Sequence, residues 1–180
     1  MRLFVALDLP GDVRASLSRW AHAAVGADDR LRLVAQESLH ATLVFLGEQP
    51  DPGPAAAALV AALDPPPPAP QLRLDGALWL APRRPHVLTV ALADPAGALA
   101  RIQADVLDAL VRGAGHEGER RRFRPHVTVA RVRGRLRPFE LAAPPVVSFQ
   151  PAAVTLYRSV LGRGPASYEA LASVALSTLP

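Results

Sequence analysis

Residues 40–46 read His-Ala-Thr-Leu-Val-Phe-Leu, and residues 126–132 read His-Val-Thr-Val-Ala-Arg-Val. Each is an apolar run that opens on His-x-Thr, and the two histidines stand 86 positions apart. Residues i and i+2 of a strand share a face, so His40 projects with Thr42 and His126 with Thr128. The spacing recurs upstream: Val5-Ala6-Leu7 and Val90-Ala91-Leu92 are 85 apart, as are Pro10 and Pro95. Each of these prolines opens a run with helical spacing. Strand, helix and His-x-Thr strand therefore occur twice at nearly one offset. That repeat predicts a pseudo-symmetric α+β fold of two lobes, with equivalent strands facing each other across a cleft.

The segments between these landmarks fit the same plan. Arg2 to Leu9 reads as a strand, and Gly11 to Val25 as a helix with Val13, Leu17, Trp20, Ala21 and Ala24 on one face. A short strand is expected over Leu31 to Ala35, and an Ala-rich helix over Ala55 to Leu63. Pro65 to Pro68 is a rigid connection. Strands follow over Leu72–Leu80 and His86–Leu92, separated by an Arg83-Arg84-Pro85 turn. Asp94-Pro95 opens a helix to about Arg112, with Leu99, Ile102, Val106, Leu107 and Leu110 on one face, ended by Gly113 and Gly115. Further strands are expected over Arg124–Val132, Val146–Phe149, Val154–Leu161 and Tyr168–Leu176.

Composition narrows the chemistry. The 180 residues suit one domain with a real core, half of them apolar and a fifth charged. All 20 basic residues are Arg, against 16 acidic residues and a formal charge of +4. The sequence pI of about 10.8 therefore mainly records arginines that do not titrate in the usual range, and leaves only a modest preference for anionic partners. The chain has no Cys, which excludes disulfide scaffolds, thiolate nucleophiles and Cys-ligated metals. It has no Lys for a phosphate-binding Gly-x-x-x-x-Gly-Lys loop, and no Gly-x-Ser-x-Gly or His-Glu-x-x-His pattern. The longest apolar run, Ala55 to Leu63, is too short to span a bilayer, and Asp8 interrupts the N-terminal run. A soluble, cytoplasmic protein is expected.

Two imidazoles and two hydroxyls converging on one spot suit a phosphodiester. A neutral imidazole can deprotonate a nucleophile while a protonated one donates to the leaving oxygen. The Thr hydroxyls can hydrogen-bond the non-bridging oxygens. The competing readings are two structural histidines and a zinc site, and zinc commonly needs three or four protein ligands. Arg131 lies three residues past Thr128, an odd step that faces it away from the site unless the strand twists, bulges or ends there. Phe45 lies at the same kind of odd step from Thr42, which favours core packing over base stacking. The run Arg120-Arg121-Arg122 with Arg124 can bind phosphates or form a solvated turn with Glu117 and Glu119. Tyr157 and Tyr168 are stacking candidates. His22 and His116 read as surface residues, and His86 has no assigned role.

Ser38-Leu39-His40-Ala41-Thr42-Leu43-Val44-Phe45-Leu46-Gly47 resembles the first motif of the RNA 2',3'-cyclic phosphodiesterases, also called 2'-5' RNA ligases, of the two-histidine phosphoesterase superfamily. Arg122-Phe123-Arg124-Pro125-His126-Val127-Thr128-Val129-Ala130-Arg131 resembles their second motif. Arg2 to Leu7 is similar to their opening strand, and Leu156-Tyr157-Arg158-Ser159 with Gly164 and Tyr168 to their ending. Leu33, where an aromatic residue is frequent, and His86, where Arg is frequent, depart from the pattern. The resemblance implies one bilobal domain over residues 1–180, each lobe a mainly antiparallel sheet with helices on its outer face. It implies hydrolysis of RNA 2',3'-cyclic phosphate ends, those of tRNA fragments among them, to 2'-phosphomonoesters by a monomer without metal or cofactor. Reverse 2'-5' ligation would use the same groups. Carried over, His40 is the proton donor, His126 the proton acceptor, and Thr42 and Thr128 hold the phosphate. Arg131, Arg124 and Tyr157 are candidate substrate contacts. Two other functions stay open: a related cyclic nucleotide phosphodiesterase acting on a small molecule, and a non-catalytic module that binds RNA ends.

Overall fold

The computed structural model describes residues 1–118, 122–160 and 167–177. In chain order the elements are β1 (Arg2–Asp8), α1 (Gly11–Val25), β2 (Leu31–Leu33), a 3-10 turn (Gln36–Ser38), β3 (His40–Glu48), α2 (Gly53–Ala62) and β4 (Leu72–Leu80). Then come β5 (Val87–Ala93), α3 (Ala98–Ala114), β6 (His126–Val132), β7 (Ser148–Phe149), β8 (Ala153–Val160) and β9 (Ser167–Ala175).

The two expected lobes are the two halves of one continuous antiparallel sheet. Its order is β7-β4-β5-β6-β3-β1-β8-β9, with β2 added alongside β6. Outward from the middle, one half runs β6-β5-β4 and the other β3-β1-β8. The repeat seen in the sequence is thus a repeat of strand order. The halves meet where β3 pairs β6, through Ala41 opposite Val127. That single registered pair puts His40-Ala41-Thr42 beside His126-Val127-Thr128.

The helices cross over between the halves. α1, which follows β1, packs on β2 and β6, and α3, which follows β5, packs on β3. Gln103 of α3, itself buried, donates from its side-chain amide to the Leu43 carbonyl at 3.5 Å. Each repeat's helix therefore supports the other repeat's histidine strand. The periodicity of α3 explains its position: Leu99, Ile102, Val106 and Leu110 form one fully buried stripe. Each such side chain contributes roughly 1.5–3 kcal/mol by leaving water. Beneath the site, Ala41, Leu43, Val127 and Val129 are 0–2% exposed.

Several boundaries differ from the sequence expectation, each for a local reason. α3 begins at Ala98 rather than at Pro95, because Gly97 takes a left-handed conformation (φ +65°) and the Asp94 carboxylate accepts from the Ala100 N–H. Gly113 does not end this helix. It lies in its last turn, where a Cβ would stand 3.3 Å from the Ala58 methyl of α2, so the missing side chain lets the helices approach. Gly115, with φ +65°, is the terminator. β6 starts at His126 rather than Arg124, and β5 at Val87 rather than His86. β2 ends at Leu33 and α2 spans Gly53–Ala62. The strand expected over Val146–Phe149 is reduced to Ser148–Phe149. Leu161, Gly164, Glu119, Arg120 and Arg121 lie outside the described residues. No helix among the described residues is long and apolar enough to cross a membrane.

Candidate active site

β3 and β6 have the same burial rhythm. His40 and Thr42 are half-buried while Ala41 and Leu43 are buried; His126 and Thr128 are half-buried while Val127 and Val129 are buried. The simple alternation then breaks in both strands. In the pairing of β1 with β3, Val5 faces Val44 and Ala6 faces Thr42, so Leu43 is an extra residue. In the pairing of β5 with β6, Leu88 faces Ala130 and Thr89 faces Thr128, so Val129 is extra. Such bulges shift the side chains that follow, up to the next irregularity, to the other face. They correct the expectation for Phe45 and meet the condition set for Arg131. Phe45 is not a core residue: it is 56% exposed and lines the cavity beside His40. Arg131 joins the same cavity despite its odd step. Phe45 and Arg131 are themselves 86 positions apart, so they are equivalent residues of the two halves.

That cavity, about 340 Å³, is lined by His40, Thr42, His126 and Thr128 together with Phe45 and Arg131. Ser38, Tyr168, Arg2 and Ser159 complete its polar wall. Arg124 lies in an adjoining cavity that shares Thr42, Phe45 and His126. Tyr157 does not line the histidine cavity; it faces a third space behind His40. Tyr168 lines both. His86 is exposed, its carbonyl accepting from the Val132 N–H.

The two imidazoles are held in one way. His40 Nδ1 donates to the Ser38 carbonyl at 2.8 Å, and His126 Nδ1 to the Arg124 carbonyl at 2.7 Å, each two residues back. A carbonyl can only accept, so the proton is fixed on Nδ1 and Nε2 is left to exchange protons.

Their surroundings differ. His40 stacks on Phe4 at 5.0 Å and meets the edge of Tyr168 at 5.2 Å. His126 makes no stacked or edge-on ring contact among the described residues. Burial pushes the His40 imidazole below its ordinary value. The Ser38 carbonyl and the Asp8 carboxylate oppose that shift, while Arg131 and His126 add to it. Asp8 stands opposite His40 in the register of β1 and β3. Its oxygens accept from Tyr157 Oη and Thr155 Oγ1, both at 2.7 Å, and Thr155 lies 2.8 Å from Ser173 Oγ. Burial and this carboxylate push the Tyr157 phenol up to about 12, so it stays a neutral donor.

Phe4 and Phe45, which line the histidine cavity, and Asp8, which lines the space behind His40, are residues that sequence reasoning missed. For Phe45 the shared offset with Arg131 was the available signal; Asp8 and Phe4 gave none beyond their place in an apolar strand. Among the described residues no group of three His, Asp or Glu side chains is placed to hold a metal ion.

The chain is similar to known proteins in both sequence and fold. Residues 10–163 match the family model of the 2'-5' RNA ligase superfamily. Over 179 residues the chain is 30% identical to the Escherichia coli RNA 2',3'-cyclic phosphodiesterase, covering 98% of this chain and 97% of that one. The crystal structure of E. coli LigT complexed with 3'-AMP superposes with a TM-score of 0.82 at 30% identity, over 98% of both chains. A Thermus thermophilus protein at 24% identity shares the fold, with the same TM-score and coverage. With its histidine pair set in a pseudo-symmetric antiparallel sheet, the chain belongs to the 2'-5' RNA ligase superfamily.

Proposed function

We propose that this protein hydrolyses the terminal 2',3'-cyclic phosphate of RNA to a 2'-phosphomonoester by paired acid–base catalysis. The observation that carries the reading is the matched pair of imidazoles, each with Nδ1 tied to a backbone carbonyl, on one cavity with two threonines. The E. coli relative's name supports the substrate class.

The phosphodiester anion sits between Thr42 and Thr128, whose hydroxyls donate to its non-bridging oxygens, with Arg131 balancing its charge. Water attacks phosphorus and gives its proton to His126 Nε2. The bond from phosphorus to the 3'-oxygen breaks, and His40 Nε2 protonates that oxygen. The product keeps the phosphate on the 2'-oxygen. An imidazole whose affinity for protons is lowered by burial is the stronger acid once charged. The bound phosphate anion and Asp8 both favour the charged form on which that donation depends. An RNA 5'-hydroxyl in place of water gives a 2'-5' linkage through the same groups. Phe45, exposed at the cavity, offers a face for the terminal base. Both halves of the site come from one chain, so a monomer is sufficient, and the two imidazoles supply both proton transfers without a metal.

One observation favours a second reading, a small cyclic nucleotide as substrate: at about 340 Å³ the cavity holds little more than one nucleotide. The test for both is hydrolysis, in EDTA, of a 2',3'-cyclic nucleotide and of an RNA ending in the same group. The reading expects turnover of the RNA with a bell-shaped pH profile, and loss of it in His40→Ala and His126→Ala proteins that still fold. Full activity in either variant overturns it.

A further inference from the structure

Beyond the cavity, the arginines are not spread evenly. A second groove is lined by Arg30, Arg83, Arg84, Arg135 and Arg137, with Phe139 at its edge and no acidic side chain. All five arginines are exposed. Arg30 is paired with Asp28 at 2.7 Å; the other four have no ion-pair partner among the described residues. A chain with a formal charge of only +4 thus gathers four uncompensated positive charges in one place.

The groove shares no lining residue with the histidine cavity, but the chain leads from one to the other. Arg131, on the histidine cavity, is the cross-strand partner of Arg32 in β2, so the two side chains share a face. Arg133, the next but one residue, donates its N–H to the Arg30 carbonyl at 2.7 Å, tying the exit of β6 to the groove. From Arg131 to Arg135 is at most about 14 Å of chain. The far wall is aromatic. Phe139 is 39% exposed and meets Trp79 edge-on at 5.3 Å, and the Trp79 indole N–H donates to the Phe139 carbonyl at 3.1 Å. The ring is therefore held in place while exposed. Cations along a groove with a fixed, exposed aromatic are what a single-stranded nucleic acid binds, its phosphates to the arginines and a base to the ring.

We propose that this groove binds the single-stranded RNA segment that precedes the cyclic phosphate. It holds the body of the substrate while Arg131 and the threonines hold its end. The proposal rests on the RNA-end reading above and extends it: a nucleotide fills the cavity, and only a longer strand reaches Arg84, Arg135 and Arg137.

The test compares a 2',3'-cyclic mononucleotide with a ten-nucleotide single-stranded RNA carrying the same end, in wild type, Arg84→Glu/Arg137→Glu and Phe139→Ala proteins. These side chains are exposed, and thermal melting checks that the variants fold. For the double variant KM for the RNA is expected to rise at least about tenfold, with a salt dependence shallower by about two phosphate contacts. Its kinetics on the mononucleotide stay unchanged. Phe139→Ala raises KM for the RNA about fivefold or more without altering the salt slope. RNA kinetics like wild type, or equal losses on both substrates, overturn the proposal. If wild type turns over neither substrate, the catalytic reading fails by itself. Fluorescence anisotropy with a 3'-phosphate-ended RNA then still decides the groove: binding weakened by Arg84→Glu/Arg137→Glu supports it, and binding unaffected by it, or displaced better by polyglutamate than by RNA, overturns it.

Discussion

Opposite His40 in the sheet stands Asp8; opposite His126 stands Ala91. Three residues past Thr42 stands Phe45, and three past Thr128 stands Arg131. The frames are otherwise alike: the same carbonyl tether on Nδ1, the same bulge after the threonine, and a buried apolar residue between, Ala41 or Val127. A repeated backbone thus presents two similar imidazoles, and the residues around them make the halves unequal. One half is acidic and aromatic around its histidine, the other open and cationic. Two identical imidazoles would have no reason to take opposite parts in a proton relay; two differently surrounded ones do.

The largest test of this comparison removes the frame itself. His40→Ala and His126→Ala should each lower turnover of the cyclic phosphate about 100- to 10,000-fold, measured by steady-state kinetics beside a circular dichroism check of folding. Similar losses mean that both halves take part in the chemistry, and a loss in one alone breaks the symmetry. Next come the threonines. Thr42→Val and Thr128→Val should each cost about 100-fold in kcat, as expected for one donor to a charged oxygen.

The third test exchanges the unequal positions. Phe45→Ala should raise KM about 5- to 100-fold and leave the salt dependence alone, as loss of a stacking face does. Arg131→Gln should weaken substrate binding while flattening the salt dependence. If both variants respond alike to salt, the two sides do not divide base and phosphate between them.

A finer test concerns Asp8. Asp8→Asn removes the charge that favours protonated His40, so the limb of the pH profile set by His40 should move to lower pH, and activity above that limb should fall about 3- to 10-fold. The smallest effect is on stability. Burial holds the His40 imidazole below its ordinary value of 6.5, so the unfolded chain takes up this proton first as pH falls. Stability is therefore lost as pH drops below about 6.5 and levels off below the folded value. Urea unfolding at about pH 7.5 and about pH 5.5 should show a larger loss in wild type than in His40→Gln.

The histidine strands, the repeat and the helix stripes were legible because strand and helix periods write themselves into the spacing of apolar residues. Pro10, for instance, opens α1 where expected, and the stripe Leu99, Ile102, Val106 and Leu110 is the buried face of α3. What the spacing cannot show is a bulge. One extra residue, Leu43 or Val129, reverses the face of the residues just after it, and so Phe45 reads as core in the sequence and lines the site in the fold. Asp8 was hidden for another reason. Its role depends on Thr155 and Tyr157, 147 and 149 positions away, which only the pairing of β1 with β8 brings together. The basic groove was likewise invisible, since Arg83, Arg84, Arg135 and Arg137 come from two loops that only the fold places together.

The unequal roles of the two histidines have one direct readout, the bond that breaks. RNA ending in a 2',3'-cyclic phosphate is incubated with the protein and the product end is identified by phosphorus NMR. With His40 protonating the 3'-oxygen and His126 activating water, the product is a 2'-phosphate. A 3'-phosphate, or a mixture of the two, would contradict that assignment of acid and base.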